Sequence, residues 1–186
     1  MGSGIAQVDA QVGLSVRLSD VNEKAIQKGL ETIEKHLARS VEKERILQDE
    51  MDEVLGHSES GTEYAPNADL AIEAVPETVE VKAEVFSALD EQLKDDAILA
   101  SNTSSISITE LAAYTGRPER FIGMHFFNPV PVMGLVEIIR GVETSDETYE
   151  TARKLTERLG KEPSVPRQGS SLIRNATQRA IHQAQG

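Results

Sequence analysis

His125 and Glu137 lie twelve positions apart, in segments reading MHF and VEI, each flanked by apolar residues. A ring between Met124 and Phe126 and a carboxylate between Val136 and Ile138 are costly to bury unpaired. Pairing them removes both costs. It also makes a general base, because an imidazole titrates near neutrality and a neighbouring carboxylate fixes its tautomer and raises its basicity. Abstraction of an alcohol proton is the chemistry such a pair serves. The structural alternative is a His and a Glu that merely satisfy each other, since structural pairs also perturb titration.

Such a pair needs two adjacent strands to carry it, and the apolar periodicity supplies them at about Phe121 to His125 and Leu135 to Ile139. Elsewhere the period alternates between two and about 3.6, which predicts strands interleaved with helices and an α/β layer architecture. A short helix is expected over residues 2 to 12, and a buried strand from Ser15 to Ser19, ending at Asp20. Ala25, Ile26, Leu30, Ile33, Leu37 and Val41 form one stripe of a long charged helix over residues 22 to 46. Residues 56 to 68 read as loop by composition.

A further strand is expected from Leu70 to Val75, then a helix with Val81, Val85, Phe86, Leu89 and Leu93 on one side. Ala97 to Ala100 has the short, wholly apolar pattern of a central parallel strand. Ser107 with Glu110, and Thr144 with Glu147, have capping-box spacing ahead of two more helices, the second stopping at Gly160. Parallel sheets bind ligands at the carboxyl ends of their strands, where Asp20, Glu77, Asn102 and His125 fall. An acid closing the second strand of a dinucleotide fold accepts hydrogen bonds from the adenosine ribose. Asp20 occupies that place with no Arg following that would suit a 2′-phosphate, which favours NAD over NADP. The alternative for Asp20 is a helix N-cap.

The chain has 186 residues, 39% of them hydrophobic, enough for one domain with a core. It contains no cysteine, which excludes disulfides and thiolate chemistry. No apolar run approaches the roughly 20 residues of a membrane span and no signal-peptide pattern opens the chain, so a cytoplasmic protein is expected. Nineteen basic against thirty-one acidic residues leave a formal charge of −12, which argues against nucleic-acid and anionic-membrane partners and is compatible with a salty cytoplasm. From Lys161 onward the net charge is +3, so residues 1 to 160 carry −15. That break predicts a domain over residues 1–160 and a divergent tail, helical or disordered, over residues 161–186.

The segments MGSGIAQ at the start, LSDVNEKAIQKG at 18 to 29, ADLAIEAVPETVEVKAEVF at 68 to 86, and the whole of Ser101 to Gly141 with its SNTSS and HFFNPVPVM motifs resemble the NAD-binding domain of the 3-hydroxyacyl-CoA dehydrogenase family. The resemblance includes the 3-hydroxybutyryl-CoA enzymes of fatty-acid β-oxidation and butyrate-type metabolism. It implies a Rossmann-like, mostly parallel sheet with helices on both faces. It also implies NAD as cofactor and a 3-hydroxyacyl-CoA, or its 3-oxoacyl counterpart, as substrate. By the same likeness His125 would take the 3-hydroxyl proton and Glu137 would orient and stabilise the imidazolium. Ser104 would bond the substrate oxygen, leaving a turn or cap role to Ser105. Asn102 would lie near the nicotinamide, with Glu77 and Lys82 on the cofactor side; on their own these two read as solvated charges.

Departures from the family pattern are equally plain. Met1 and Gly2 align with the last two positions of the G-x-G-x-x-G turn, so the usual first strand and two glycines are expected to be lacking. Gly160, Lys161 and Pro163 match the family, but SVPRQGSSLIRNATQRAIHQAQG does not, as after a frameshift near residue 165, and the C-terminal helical domain is expected to be lacking too. Asn175 stands fifty positions after His125, the spacing of a further substrate-contacting Asn, in a poorly matching context; a helical surface residue is the alternative. Two functional expectations follow. One is an NAD-dependent 3-hydroxyacyl-CoA dehydrogenase domain completed by a homodimer, by a complementing chain or by further sequence outside these 186 residues. The other is a catalytically inactive remnant that binds a nucleotide or pairs with a full-length relative.

Overall fold

The order of elements follows from where the chain can cap a helix and where it can only extend. The computed structural model describes residues 1–165, which fall into two units: Met1–Pro66 with Asn128–Gly134, and Asn67–Phe127 with Leu135 onward. Among the described residues no helix is long and apolar enough to cross a membrane.

The first unit holds α1 (Gly2–Gln11), β1 (Val16–Ser19), α2 (Glu23–Glu42), α3 (Gln48–Gly56) and β2 (Ser58–Gly61). Ala6 and Ala10 of α1, Ile33 and Leu37 of α2, and Met51 and Val54 of α3 form its buried cluster. The predicted stripe on α2 is real but narrower, with Ile26, Ile33 and Leu37 buried while Ala25 is exposed. The long helix expected over residues 22 to 46 stops at Glu42, and a second helix, not expected, follows from Gln48. Glu44 takes a left-handed φ of 54°, which turns the chain, and α3 then starts where the Leu47 amide donates to Glu50 Oε2 at 2.6 Å.

Two strand expectations also change. β1 was expected to be buried, but it is only partly covered, because it belongs to a two-stranded sheet. Its partner β2 lies inside the stretch read as loop: Ser58–Gly61 pairs with it in parallel, with Val16 opposite Ser58. Four polar or small residues carry no strand signal of their own, so only backbone pairing reveals this one.

The second unit contains β3 (Leu70–Glu73), α4 (Val79–Gln92), β4 (Ile98–Ser101), α5 (Ile108–Ala112), β5 (Phe121–Phe126), β6 (Leu135–Arg140), α6 (Asp146–Arg158) and β7 (Glu162–Ser164). The sheet order is β3-β4-β5-β6-β7. β3, β4 and β5 run parallel, β6 runs antiparallel to β5, and β7 is parallel to β6. All four residues of β4 are buried, as its apolar pattern predicts for a central strand.

On α4 the buried side chains are Lys82, Phe86 and Leu89, while Val81, expected on the inner side, is 39% exposed. Ser107 caps α5 as expected, accepting from the Glu110 amide at 3.4 Å. The cap of α6 shifts by one residue, because Ser145 accepts from the Thr148 amide at 3.1 Å. Thr144 is buried instead, donating from Oγ1 to the Phe121 carbonyl at 2.7 Å and accepting from the Gly141 amide at 2.8 Å. After α6, Gly160 at φ +69° turns the chain into β7.

Candidate active site

Reversal of direction between β5 and β6 brings the sequence-predicted pair together. His125 and Glu137 are direct partners across the antiparallel ladder, so their side chains leave the same face. His125 Nδ1 lies 2.9 Å from Glu137 Oε2, and the two side chains are 19% and 28% exposed. A carboxylate at Nδ1 places the proton there and leaves Nε2 with a free lone pair. The Phe127 ring packs against the imidazole at 4.6 Å between centroids and 52° between planes, restricting rotation of a ring already fixed at one nitrogen.

The end of β4 is tied to the end of β5 by Asn102. Its amide donates to the Glu73 carbonyl at 2.8 Å, and its side-chain Oδ1 accepts from the Phe126 amide at 2.8 Å, one residue beyond His125. Two positions on, Ser104 is exposed, and its hydroxyl has no hydrogen bond to another described residue. Ser105 differs. Its hydroxyl donates to Glu77 Oε1 at 2.9 Å, so the two neighbouring serines are separated into one free hydroxyl and one committed hydroxyl.

Of the two charges read on their own as solvated at a helix start, Lys82 is buried, which corrects that reading, and Glu77 is exposed but tied down by hydrogen bonds. Lys82 is 1% exposed and donates to Glu73 Oε1 at 2.7 Å and to the Val75 carbonyl at 3.3 Å, with Glu77 Oε2 at 3.4 Å. Glu77 Oε1 accepts from the Thr103 hydroxyl, from the Ser104 and Ser105 amides at 3.0 Å each, and from the Ser105 hydroxyl. Burial pushes the Glu77 carboxyl up, but the hydrogen bonds from Thr103 and Ser105 and the charge of Lys82 outweigh it and hold the group below the usual glutamate range.

Sequence reasoning missed Glu73, Ser101 and Thr103. Glu73 is fully buried and saturated: besides Lys82 it accepts from the Val75 amide and the Ser101 hydroxyl, each at 2.7 Å. An acid closing the apolar strand LAIE, with one lysine nine residues later on the next helix, was the available signal.

Asp20 and Gly2 belong to the first unit. Asp20 is exposed at the end of β1, and its Oδ1 accepts from the Asn22 amide at 2.9 Å. The cap of α2 is Asn22, whose side chain accepts from Lys24, so the N-cap alternative for Asp20 is corrected. Gly2 opens α1, whose first turn has no acid and whose N-cap makes no side-chain hydrogen bond. Tyr64 is held above the usual phenol range, first by burial and then by the negative charge of Asp20. Asn175 lies outside the described residues.

The fold is thus a Rossmann-like α/β arrangement whose sheet is mostly parallel, with a His–Glu pair at the ends of two neighbouring strands. The family model described as 3-hydroxyacyl-CoA dehydrogenase, NAD binding domain, matches residues 1–168, and the chain belongs to that family. It is 51% identical over 163 residues to a probable 3-hydroxybutyryl-CoA dehydrogenase of Bacillus subtilis, an alignment covering 87% of this chain and 57% of the relative. The crystal structure of (S)-3-hydroxybutyryl-CoA dehydrogenase from Ralstonia eutropha superimposes with a TM-score of 0.87 at 46% identity, covering 89% of this chain and 59% of that one. The fatty acid oxidation complex subunit alpha of Pseudomonas putida is 46% identical over 167 residues, covering 89% of this chain and 23% of the subunit. The chain therefore spans less than two thirds of the length of these three relatives.

Proposed function

We propose that this chain carries the cofactor-binding and proton-abstracting half of an NAD-dependent 3-hydroxyacyl-CoA dehydrogenase. The single observation that carries the reading is the 2.9 Å contact between His125 Nδ1 and Glu137 Oε2, in a member of this family. His125 Nε2 takes the proton of the substrate 3-hydroxyl as the carbonyl forms. Glu137, hydrogen-bonded at Nδ1, stabilises the imidazolium and holds the ring in its working tautomer. When bound, NAD would supply the acceptor for the hydride from C3. In the reverse direction His125 returns the proton to the developing alkoxide.

Ser104 presents a free, exposed hydroxyl to the substrate oxygen. Asn102 holds the β4 and β5 ends in place from its side-chain oxygen and keeps its amide nitrogen for the nicotinamide side, where Glu77 also belongs. The residues present fit a dinucleotide. The acid-free first turn of α1, opened by Gly2, suits a pyrophosphate, and the exposed carboxylate of Asp20 suits a ribose diol. Lys82 acts on that side through Glu77, since its own ammonium is enclosed by protein oxygens. Asn175 supplies a second amide contact to the substrate. The formal charge of −12 requires either a local basic patch or screening salt for a polyanionic thioester to approach.

Titration of NADH fluorescence with this polypeptide tests the cofactor half, and saturable binding supports it. Oxidation of NADH by acetoacetyl-CoA, compared between the natural chain and His125→Ala, tests the chemistry. Binding without turnover, with both proteins equally slow, selects the inactive remnant that retains a nucleotide. Absence of both leaves the pair a structural one.

A further inference from the structure

The Thr103–Ser105 turn is held from one side by a single oxygen. Four donors converge on Glu77 Oε1: the Thr103 hydroxyl, the Ser104 amide at 3.0 Å, the Ser105 amide at 3.0 Å and the Ser105 hydroxyl at 2.9 Å. The other oxygen, Oε2, faces the Lys82 ammonium at 3.4 Å. Lys82 is itself fixed, being buried against Glu73 Oε1 at 2.7 Å, and Glu73 in turn receives the Ser101 hydroxyl at 2.7 Å. Thr103 completes the arrangement, because its Oγ1 also accepts from the Ile106 amide at 2.9 Å. A chain of contacts thus runs from the carboxyl ends of β3 and β4 through two carboxylates and one ammonium to the turn that displays Ser104.

This is more than a solvated glutamate or a direct cofactor contact requires. Successive backbone amides converging on one anion fix the direction of the intervening backbone, as in anion-binding turns. Here the anion belongs to the protein. Of the three side-chain hydroxyls of the turn, those of Thr103 and Ser105 bond Glu77, and that of Ser104 is left exposed.

We propose that Glu77 is a positioning residue: its carboxylate, braced on the buried Lys82–Glu73 pair, is the anchor around which the Thr103–Ser105 turn folds, and it thereby sets where Ser104 presents its hydroxyl. The turn-folding role stands on geometry alone; its consequence for turnover rests on the dehydrogenase reading above.

The test separates the two. In the natural chain, the Ser104 and Ser105 amide protons, followed by NMR during acid titration, are expected to shift together with a single inflection below the ordinary glutamate range. The absence of a shared shift overturns the proposal without any variant. Glu77→Ala is expected to raise hydrogen exchange of both amides at least tenfold while leaving the Leu99 and Ala100 amides of β4 protected. Thr103→Val, which keeps the carboxylate and removes one donor, gives a smaller rise at the same two amides. Unchanged exchange at Ser104 and Ser105 in Glu77→Ala overturns the anchor role. For acetoacetyl-CoA reduction at saturating NADH, the expectation for Glu77→Ala is a kcat lowered by about tenfold or more. Weakened NADH binding with an undisturbed turn would instead make Glu77 a cofactor contact and sink the inference. If the natural chain shows no turnover, the dehydrogenase reading fails and the exchange data still decide the role of Glu77.

Discussion

Replacing Lys82 by Met removes one ammonium from a place where water cannot substitute for it. The Lys82 side chain is 1% exposed and that of Glu73 is 0% exposed, and they meet at 2.7 Å. In Lys82→Met the Glu73 carboxylate keeps its hydrogen bonds from the Val75 amide and the Ser101 hydroxyl, each at 2.7 Å, but loses its only close positive charge among the described residues. Orphaning one member of a buried pair costs about 3–5 kcal/mol. Two surviving donors place the expected loss near the lower end, about 3 kcal/mol, and the partly exposed Glu77 adds little. At ~2–4 °C per kcal/mol for a chain of this size, Tm should fall by about 6–12 °C. Because the chain has two units, exchange of the Leu99 and Ala100 amides in β4 should be followed beside the global melt, as these amides report on the sheet concerned. The double variant Glu73→Gln with Lys82→Met removes both charges, and it should recover most of the loss, to within about 1–2 kcal/mol of the natural protein. The reasoning is refuted if the single variant lies within about 1 kcal/mol of the natural chain, or if the double variant is no more stable than the single.

Glu77, whose carboxyl is held below its ordinary value, should contribute stability that is fully present above pH ~4.3 and disappears as the pH falls through the depressed folded-state value. Acid unfolding of Glu77→Gln should lack that component, and superimposable acid limbs for the two proteins would count against it. Glu137→Gln keeps a hydrogen-bond acceptor near Nδ1 but removes the charge facing a developing imidazolium; kcat for acetoacetyl-CoA reduction should fall about 100-fold with little change in KM. A methyl group added at Gly123 of β5 would meet Ile108 Cδ1 at 2.7 Å and Ile139 Cβ at 3.0 Å, so Gly123→Ala should cost about 1–3 kcal/mol in urea unfolding. Phe127→Leu should leave the melt nearly unchanged, yet broaden the His125 ring resonances in NMR spectra, since among the described residues the Glu137 contact alone would then fix the imidazole.

What could be read from the residues was mostly what apolar spacing dictates. The central strand β4, the helix capped by Ser107 and the strands carrying His125 and Glu137 each have a local pattern that agrees with their final packing. The pairing itself was legible because two polar groups in apolar strands have few other ways to be satisfied. Strand β2 was not legible: Ser58–Gly61 has neither β-branched residues nor alternation, and its existence depends on the exposed edge of β1. The break between α2 and α3 was hidden because Glu44 is not a residue whose type announces a left-handed backbone. The burial of Lys82 escaped for a different reason. It stands nine positions after Glu73, across a turn and a helix start, and only the packed sheet turns an apparent surface lysine into half of an internal pair.

Since His125 and Glu137 occupy one rung of an antiparallel ladder, their meeting depends on parity. Any change that slides β6 by one residue against β5 sends the carboxylate through to the opposite side, and a slide of two keeps the side but sets Leu135 or Ile139 opposite the imidazole. Length changes between these two strands should therefore be compatible with proton transfer only where the turn absorbs them and leaves this one rung intact.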